Sequence, residues 1–307
     1  MSRPFLALTD AVATVAAFST AVQLGLLDRI DREPADAEEL ARTCGANERG
    51  VRLLLGALES GGFVERLDDG RYQPTLTGLA GCHPIIPMWE HLPDAVRTGI
   101  PLGDGHTRSL TTGIWGDSVD QVAAALPAAC RVLDVAAGAA PWSIAFASRN
   151  PDSRVTAIDT AAVIPVTRRA VARAGLADRF DLLAGDIFET PLEPGAFDLI
   201  MVPHFCDLFD GDACAALFQT LAPALAPGGV LAVIETLAGG RGSAIQELSL
   251  YLRTSNGAVH RPERYRHWLT EAGLSTVDAV ELDSAVAITV ITARRRAVGG
   301  GPPSGGR

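Results

Sequence analysis

Three aspartates close short apolar runs in the middle of the chain. Asp134 sits in Val132-Leu133-Asp134-Val135, Asp159 ends Val155-Thr156-Ala157-Ile158-Asp159, and Asp186 follows Ala184-Gly185. After the first run comes Ala136-Ala137-Gly138-Ala139-Ala140-Pro141. Small side chains there let the backbone approach a ligand closely, and Pro141 suits the first position of a helix. Asp159 lies 25 residues after Asp134, and an acid ending such a strand can accept hydrogen bonds from both ribose hydroxyls. Asp186 suits an adenine amino group. Together the three positions outline a nucleoside pocket; ordinary strand-end or turn duty is the other use such aspartates have.

Composition narrows the chemistry. The 26 basic residues are all arginine, so a pyridoxal Schiff base, a lysine nucleophile and a P-loop lysine are excluded. A formal charge of −10 argues against a protein that grips phosphate backbones. Five scattered cysteines show no C-x-x-C or Cys/His ligand pattern, so no disulfide framework and no metal site are expected. The apolar run from Ala11 to Val22 reads as too short and too polar to span a bilayer, and no signal peptide is recognised. A cytoplasmic protein is expected.

The elements that must position those acids alternate from about residue 127 onward. Strands are predicted over 131–135, 154–158, 180–183, 198–202 and 230–234, with helices from Pro141, over 165–174 and over 212–225, and a closing antiparallel pair over 276–282 and 286–293. Alternation of this kind implies a parallel, doubly wound Rossmann-like sheet, which binds ligands at the carboxyl ends of its strands. The first 85 residues read differently. Thr9 or Asp10 is expected to cap a first helix, Asp36 a second and Asn47 a third, in which Val51, Leu54, Leu55 and Leu58 form a buried stripe. Gly61-Gly62 ends that helix, and Asp69-Gly70 turns a hairpin. Helices followed by a two-stranded wing make a winged-helix unit. Its would-be reading helix carries Arg49 and Arg52 among leucines and glutamates, which favours dimerisation over DNA binding.

The ordered set of motifs resembles one family. Val132-Leu133-Asp134-Val135-Ala136-Ala137-Gly138, Val155 to Asp159, Ala184-Gly185-Asp186-Ile187-Phe188-Glu189, Phe197-Asp198-Leu199-Ile200 and Leu225-Ala226-Pro227-Gly228-Gly229 are similar to the signatures of class I S-adenosylmethionine-dependent O-methyltransferases. The resemblance is to the group with an N-terminal winged-helix dimerisation domain, which includes bacterial natural-product tailoring enzymes. It implies an α/β chain divided into a dimerisation domain (1–85), a connector contributing to the acceptor pocket (86–118), a cofactor-binding catalytic domain (119–297) and a disordered tail (298–307). It implies S-adenosyl-L-methionine as cofactor, with Asp134 among its binding residues, Gly138 and its neighbours along the methionine part, Asp159 at the ribose, and Asp186 with Ile187 at the adenine. It further implies a homodimer acting on a small, aromatic or polyketide-like metabolite, with neither nucleic acid nor membrane as partner.

Three departures from the family pattern matter. Ala136 and Ala140 replace the first and third glycines of the loop, and a methyl where φ must be positive costs roughly 1 kcal/mol, so a shifted loop or a displaced cofactor is expected. In His204-Phe205-Cys206-Asp207, Asp207 stands where the family's base histidine would be. A free Asp is about 2.6 pH units, or some 3.5 kcal/mol, weaker as a base than His. Burial against Phe205 and Phe209 would recover part of that; capping of the following helix is the competing role for Asp207. His204 would substitute only if the turn brings it round. Glu235 matches the acid that orients the base in relatives, whereas the second acid is replaced by Val259, next to His260. Trp89, His91, Trp115, Phe205, Leu252, Asn256 and His260 are the candidates for the acceptor cavity. The altered loop and base leave room for a non-methylating enzyme on this fold, such as a hydroxylase, decarboxylase, cyclase or pericyclic catalyst, or for a winged-helix regulator whose α/β half senses a ligand.

Overall fold

The computed structural model describes residues 3–75, 85–102, 118–283 and 287–296. Trp115, most of the expected connector and the tail from 298 lie outside the described residues. Two compact units divide the described chain between Arg97 and Thr98.

The first unit opens with α1 (Arg3–Gln23), α2 (Leu26–Arg32), α3 (Ala37–Thr43) and α4 (Glu48–Ser60). Asp36 caps α3 by accepting from the Glu39 N–H at 2.8 Å, and Asn47 caps α4 by accepting from Gly50 at 3.1 Å, both as the side chains foretold. Val51, Leu55 and Leu58 are buried along α4, against Phe18, Leu27, Ile30 and Leu40. The hairpin follows as β1 (Val64–Arg66) and β2 (Tyr72–Pro74), antiparallel, with Glu65 opposite Gln73. Short α5 (Ile85–Met88) then leads through a 3-10 turn holding Trp89 and His91 into α6 (Leu92–Thr98).

Two expectations about α1 need correction. Thr9 and Asp10 lie inside it and cap nothing: the Thr9 hydroxyl donates to the Phe5 carbonyl at 2.9 Å, and Thr14 donates to that of Asp10 at 2.8 Å. Hydroxyls spent on the preceding turn are compatible with a continuing helix. The helix is also long and apolar enough, by length and composition, to cross a membrane, because the apolar stretch extends back to Pro4. Phe5, Leu6, Leu8, Val12 and Val15 are exposed along it.

The second unit runs α7 (Ser118–Ala125), β3 (Arg131–Val135), α8 (Pro141–Arg149), β4 (Arg154–Asp159), α9 (Ile164–Arg173), β5 (Phe180–Ala184), β6 (Phe197–Pro203), α10 (Gly211–Leu221), β7 (Leu225–Glu235), α11 (Ser243–Arg253), α12 (Pro262–Glu271), β8 (Leu274–Glu281) and β9 (Thr289–Arg295). Seven strands form one sheet in the order β5-β4-β3-β6-β7-β9-β8. β3 to β7 are parallel; β9 runs antiparallel to β7, and β8 to β9. The expected doubly wound sheet with its closing antiparallel pair is what forms.

Period-2 alternation splits the core between the two faces. Leu133, Val135, Ile200, Val202, Leu231 and Val233 pack with Phe218, Tyr265 and Trp268, whereas Val132, Leu199, Met201 and Ala232 pack with Trp142 and Phe146. α10 stops four residues before the expected end because Pro223 cannot continue it, and β7 already begins at Leu225, taking Pro227-Gly228-Gly229 into the strand with a register shift opposite Phe197 and Leu199. α11 and α12 were not foreseen, although Pro262 at the first position of α12 and the spacing of Tyr265, Trp268 and Leu269 mark that helix.

Candidate active site

The order of strands reverses between β3 and β6, and the chemistry-bearing residues lie at the carboxyl ends on both sides of that break. On the β3 side, Ala136, Gly138 and Ala140 all adopt left-handed conformations, with φ of 54°, 59° and 56°. The expected loop shift therefore does not occur; two alanines accept the glycine conformation, and the residues between them are bonded to β4 and α9. The Ala137 N–H donates to the Ile158 carbonyl at 3.2 Å, and Thr167 on α9 donates to the Gly138 carbonyl at 2.6 Å.

Asp159 clasps the same loop. Its Oδ2 accepts from the Gly138 N–H at 2.8 Å and its Oδ1 from the Thr160 N–H at 2.7 Å. A carboxylate oxygen has two acceptor sites, so each keeps one for a ligand hydroxyl. Asp159 pairs with Ala184 in the ladder, which sets Asp186 two residues beyond on the adjoining strand end. Asp186 is exposed, its Oδ1 accepting from the Phe188 N–H at 2.9 Å, while Ile187 is buried. Asp134 is fully buried under the loop and accepts from the Ser143 hydroxyl on α8. Burial raises its carboxyl to about 7.

On the other side, β6 ends in a turn that His204 enters with φ of 47°, its N–H donating to the Ile234 carbonyl at 2.9 Å. That turn brings the imidazole round: its ring lies 5.7 Å from Trp142, and its Nδ1 is 3.6 Å from Glu235 Oε2. Burial lowers the His204 imidazole to about 3, so it stays neutral. Glu235, at the end of β7, accepts the Cys206 N–H at 3.0 Å through Oε1. Its acidity is weakened well beyond the usual carboxylate range, first by burial and then by the charge of Asp207.

Asp207 completes the cluster. A ring nitrogen of His204 and one carboxylate oxygen each of Asp207 and Glu235 lie within 4.8 Å of one another. The helix-cap role falls instead to Asp210, which accepts from the Ala213 N–H at 3.0 Å. Asp207 accepts through Oδ2 from Gln246 Nε2 on α11 at 2.8 Å, and its carbonyl accepts from the Ala258 N–H at 2.9 Å. Burial raises its carboxyl, while the Gln246 hydrogen bond and the charges of Arg253 and His260 pull it back.

Aromatic rings cluster around the same turn. Phe205 lies 4.9 Å from Phe209, and Phe188 lies 5.3 Å from Phe209. Of the other candidates for the acceptor cavity, His260 is near enough to Asp207 for its charge to act on it. Leu252 is fully buried on α11 and Asn256 is exposed in the loop after it. His260 packs edge-on against Trp268 and sits 3.0 Å from the Phe209 carbonyl and 3.7 Å from the Cys214 thiol. Trp89 and His91 belong to the first unit, where His91 is exposed. Gln246, Trp142, Ser143 and Thr167 escaped the sequence reading; none stands in a motif.

Residues 109–275 match the family model of the O-methyltransferase domain, and residues 6–80 match that of the O-methyltransferase dimerisation domain. The chain belongs to the O-methyltransferase family. It is similar to 3-hydroxy-5-methyl-1-naphthoate 3-O-methyltransferase of Streptomyces sahachiroi, 26% identical over 89% of each chain. It is also similar to mitomycin biosynthesis 6-O-methyltransferase of Streptomyces lavendulae, 28% identical over 72% of this chain and 73% of that one. Human N-acetylserotonin methyltransferase, solved in complex with SAM, shares the fold with a TM-score of 0.74 at 20% identity, covering 97% of this chain and 99% of that one. The O-methyltransferase cofactor is S-adenosylmethionine, and the family acts on natural-product or aromatic substrates. The observed strand ends fit that group: Asp159 keeps acceptor sites beside the Gly138 backbone, and Asp186 presents an exposed carboxylate one strand away.

Proposed function

We propose that the protein methylates a hydroxyl of a small aromatic or polyketide-like specialised metabolite, with Asp207 taking the hydroxyl proton. The observation that carries this reading is the Asp207 carboxyl itself: buried, gripped at Oδ2 by Gln246, and without a hydrogen-bond partner at Oδ1 among the described residues. Asp159 would hold the ribose of the cofactor and Asp186 with Ile187 the adenine, while Asp134 and Gly138 shape the seat of its methionine part. When bound, S-adenosylmethionine supplies an electrophilic methyl group. The chain's own task is alignment, which in well-oriented reactions is worth several kcal/mol or more.

Glu235 and His204 flank Asp207 in this reading. Glu235 braces the turn through the Cys206 N–H, and neutral His204 contributes a polar wall rather than a base. Phe205 and Phe209 supply apolar surface for an aromatic acceptor. Leu252, Asn256 and His260 of the second unit are assigned to the acceptor side.

The assembly is proposed as a cytoplasmic homodimer formed through the winged-helix unit of residues 1–85. The dimerisation-domain match and the exposed apolar face of α1 support it. Arg52 on α4 pairs with Glu48, which, with the acidic total charge, supports a role without nucleic acid.

Incubation with methyl-labelled cofactor and a panel of hydroxynaphthoates, phenols and aminophenols tests the reading. Label transferred to a hydroxyl, and lost in Asp207→Asn, is the expected result. Cofactor binding without transfer to any panel member would favour non-methylating chemistry on the same fold.

A further inference from the structure

We propose that Gln246 is a positioning residue for the proton acceptor: its amide clamps one oxygen of Asp207, so that Oδ1 is the oxygen left to take the acceptor's proton. This rests on the reading of Asp207 as the base. Nothing in the family motifs points to Gln246; it enters the site through the hydrogen bond it makes from α11 to the turn after β6.

The geometry is specific. Gln246 Nε2 donates to Asp207 Oδ2 at 2.8 Å, and the Asp207 backbone is held from the other side by the Ala258 N–H at 2.9 Å. A carboxyl group turns about χ2 in a broad, two-fold well, so a bond at one oxygen decides which oxygen is free. Oδ1 has no hydrogen-bond partner among the described residues, although Asp207 is buried. A buried carboxyl with both oxygens orphaned would simply hold its proton and be useless as a base. One good donor on one oxygen favours the ionised form while leaving the second oxygen bare.

The charged and titratable groups around Asp207 come from every side. Arg253, seven residues after Gln246 on the same face of α11, and His260 before α12 stabilise the carboxylate. Glu235 on β7, the Cys206 thiol and Tyr265 on α12 share its electrostatic surroundings. Gln246 donates a hydrogen bond to the side chain and adds no charge. Arginine or lysine in its place would hold Asp207 as a fixed ion pair and lower its basicity; glutamine holds it and keeps it basic.

The test titrates Asp207 directly in the full-length protein, with aspartate labelled by 13C at the side-chain carboxyl and the resonance assigned by its loss in Asp207→Asn. Gln246→Leu, similar in size, is expected to raise the Asp207 midpoint by about one pH unit or more. Gln246→Glu is expected to raise it further through like charge. Gln246→Asn, a methylene short of the clamp, serves if the leucine variant does not fold, with the same upward shift expected. With hydroxynaphthoate as acceptor, the ascending limb of kcat should move to higher pH in step with the midpoint. A purely structural glutamine would change Tm and leave the midpoint in place, and that result would overturn the inference while the base reading stands. If the midpoint moves but Asp207→Asn transfers label at the wild-type rate, the base reading itself fails and this inference with it.

Discussion

Asp134 and Ser143 face each other across the join between the first strand of the sheet and the helix that follows it, both wholly out of solvent. The carboxyl titrates at about 7 instead of the usual 3.8, with burial the main cause and the Ser143 hydroxyl opposing it. Between those two values the folded protein keeps a proton that the unfolded chain releases. Stability from this group is thus complete below about pH 4 and declines as pH rises toward 7, by on the order of 4 kcal/mol. Asp134→Asn cannot ionise and should flatten the fall in unfolding free energy between pH 4 and 7. Urea titrations at several pH values check this; equal slopes for the two proteins would show that Asp134 is not the source. Asp207 and Glu235, shifted the same way, leave a residual slope in the variant.

Asp207→Asn should cut turnover about tenfold or more while leaving cofactor affinity nearly unchanged. The wild-type rate should climb with pH through a midpoint above the ordinary carboxylate range, since Asp207 must lose its proton first and burial holds that proton on. The variant should lack that limb. An unaltered profile would remove Asp207 from the chemistry.

Asp159→Ala removes the acceptor that both clasps the Gly138 backbone and, in our reading, takes the ribose hydroxyls. Hydrogen bonds to a charged group are worth about 1.5–3 kcal/mol, so cofactor affinity should fall roughly 10- to 150-fold. Calorimetry decides it, and unchanged affinity would place the nucleoside elsewhere.

Leu8 and Val12 on the first helix are 59% and 60% exposed, which is unusual for adjoining large apolar residues on one helix face. Val12→Asp should shift the protein from dimer to monomer in sedimentation velocity. A dimer that survives the substitution would move the interface away from this helix.

Ala136 sits at a φ of 54° that costs an alanine about 1 kcal/mol and a β-branched residue more. Ala136→Gly should leave Tm nearly unmoved, because relief of strain is offset by greater freedom of the unfolded chain. Ala136→Val should lose about 1–3 kcal/mol. A valine variant as stable as the wild type would mean that the loop has another conformation open to it.

The placing of Asp134, Asp159 and Asp186 on neighbouring strands was legible in the residues, because parallel strands gather their carboxyl ends and only the strand boundaries had to be right. The acceptor half was not. His204 reaches Glu235 through a positive φ that a histidine does not advertise. That Asp210 and not Asp207 caps the following helix depends on where that helix begins, at Gly211, a detail finer than periodicity resolves. Gln246 lies on a helix that was not foreseen at all, behind the glycines at 239, 240 and 242. The long first helix was misjudged for a simpler reason: the threonines that look like starts and interruptions spend their hydroxyls on its own carbonyls.

The reversal of strand order next to the first strand separates two jobs that could have been entangled. In our reading, groups for the shared donor hang from one flank of the sheet, and groups that meet the variable guest hang from the other. A lineage can therefore trade one guest for another by altering a single turn and one helix, without rebuilding the machinery that all its members inherit. That separation lets one scaffold serve many neighbouring biosynthetic tasks.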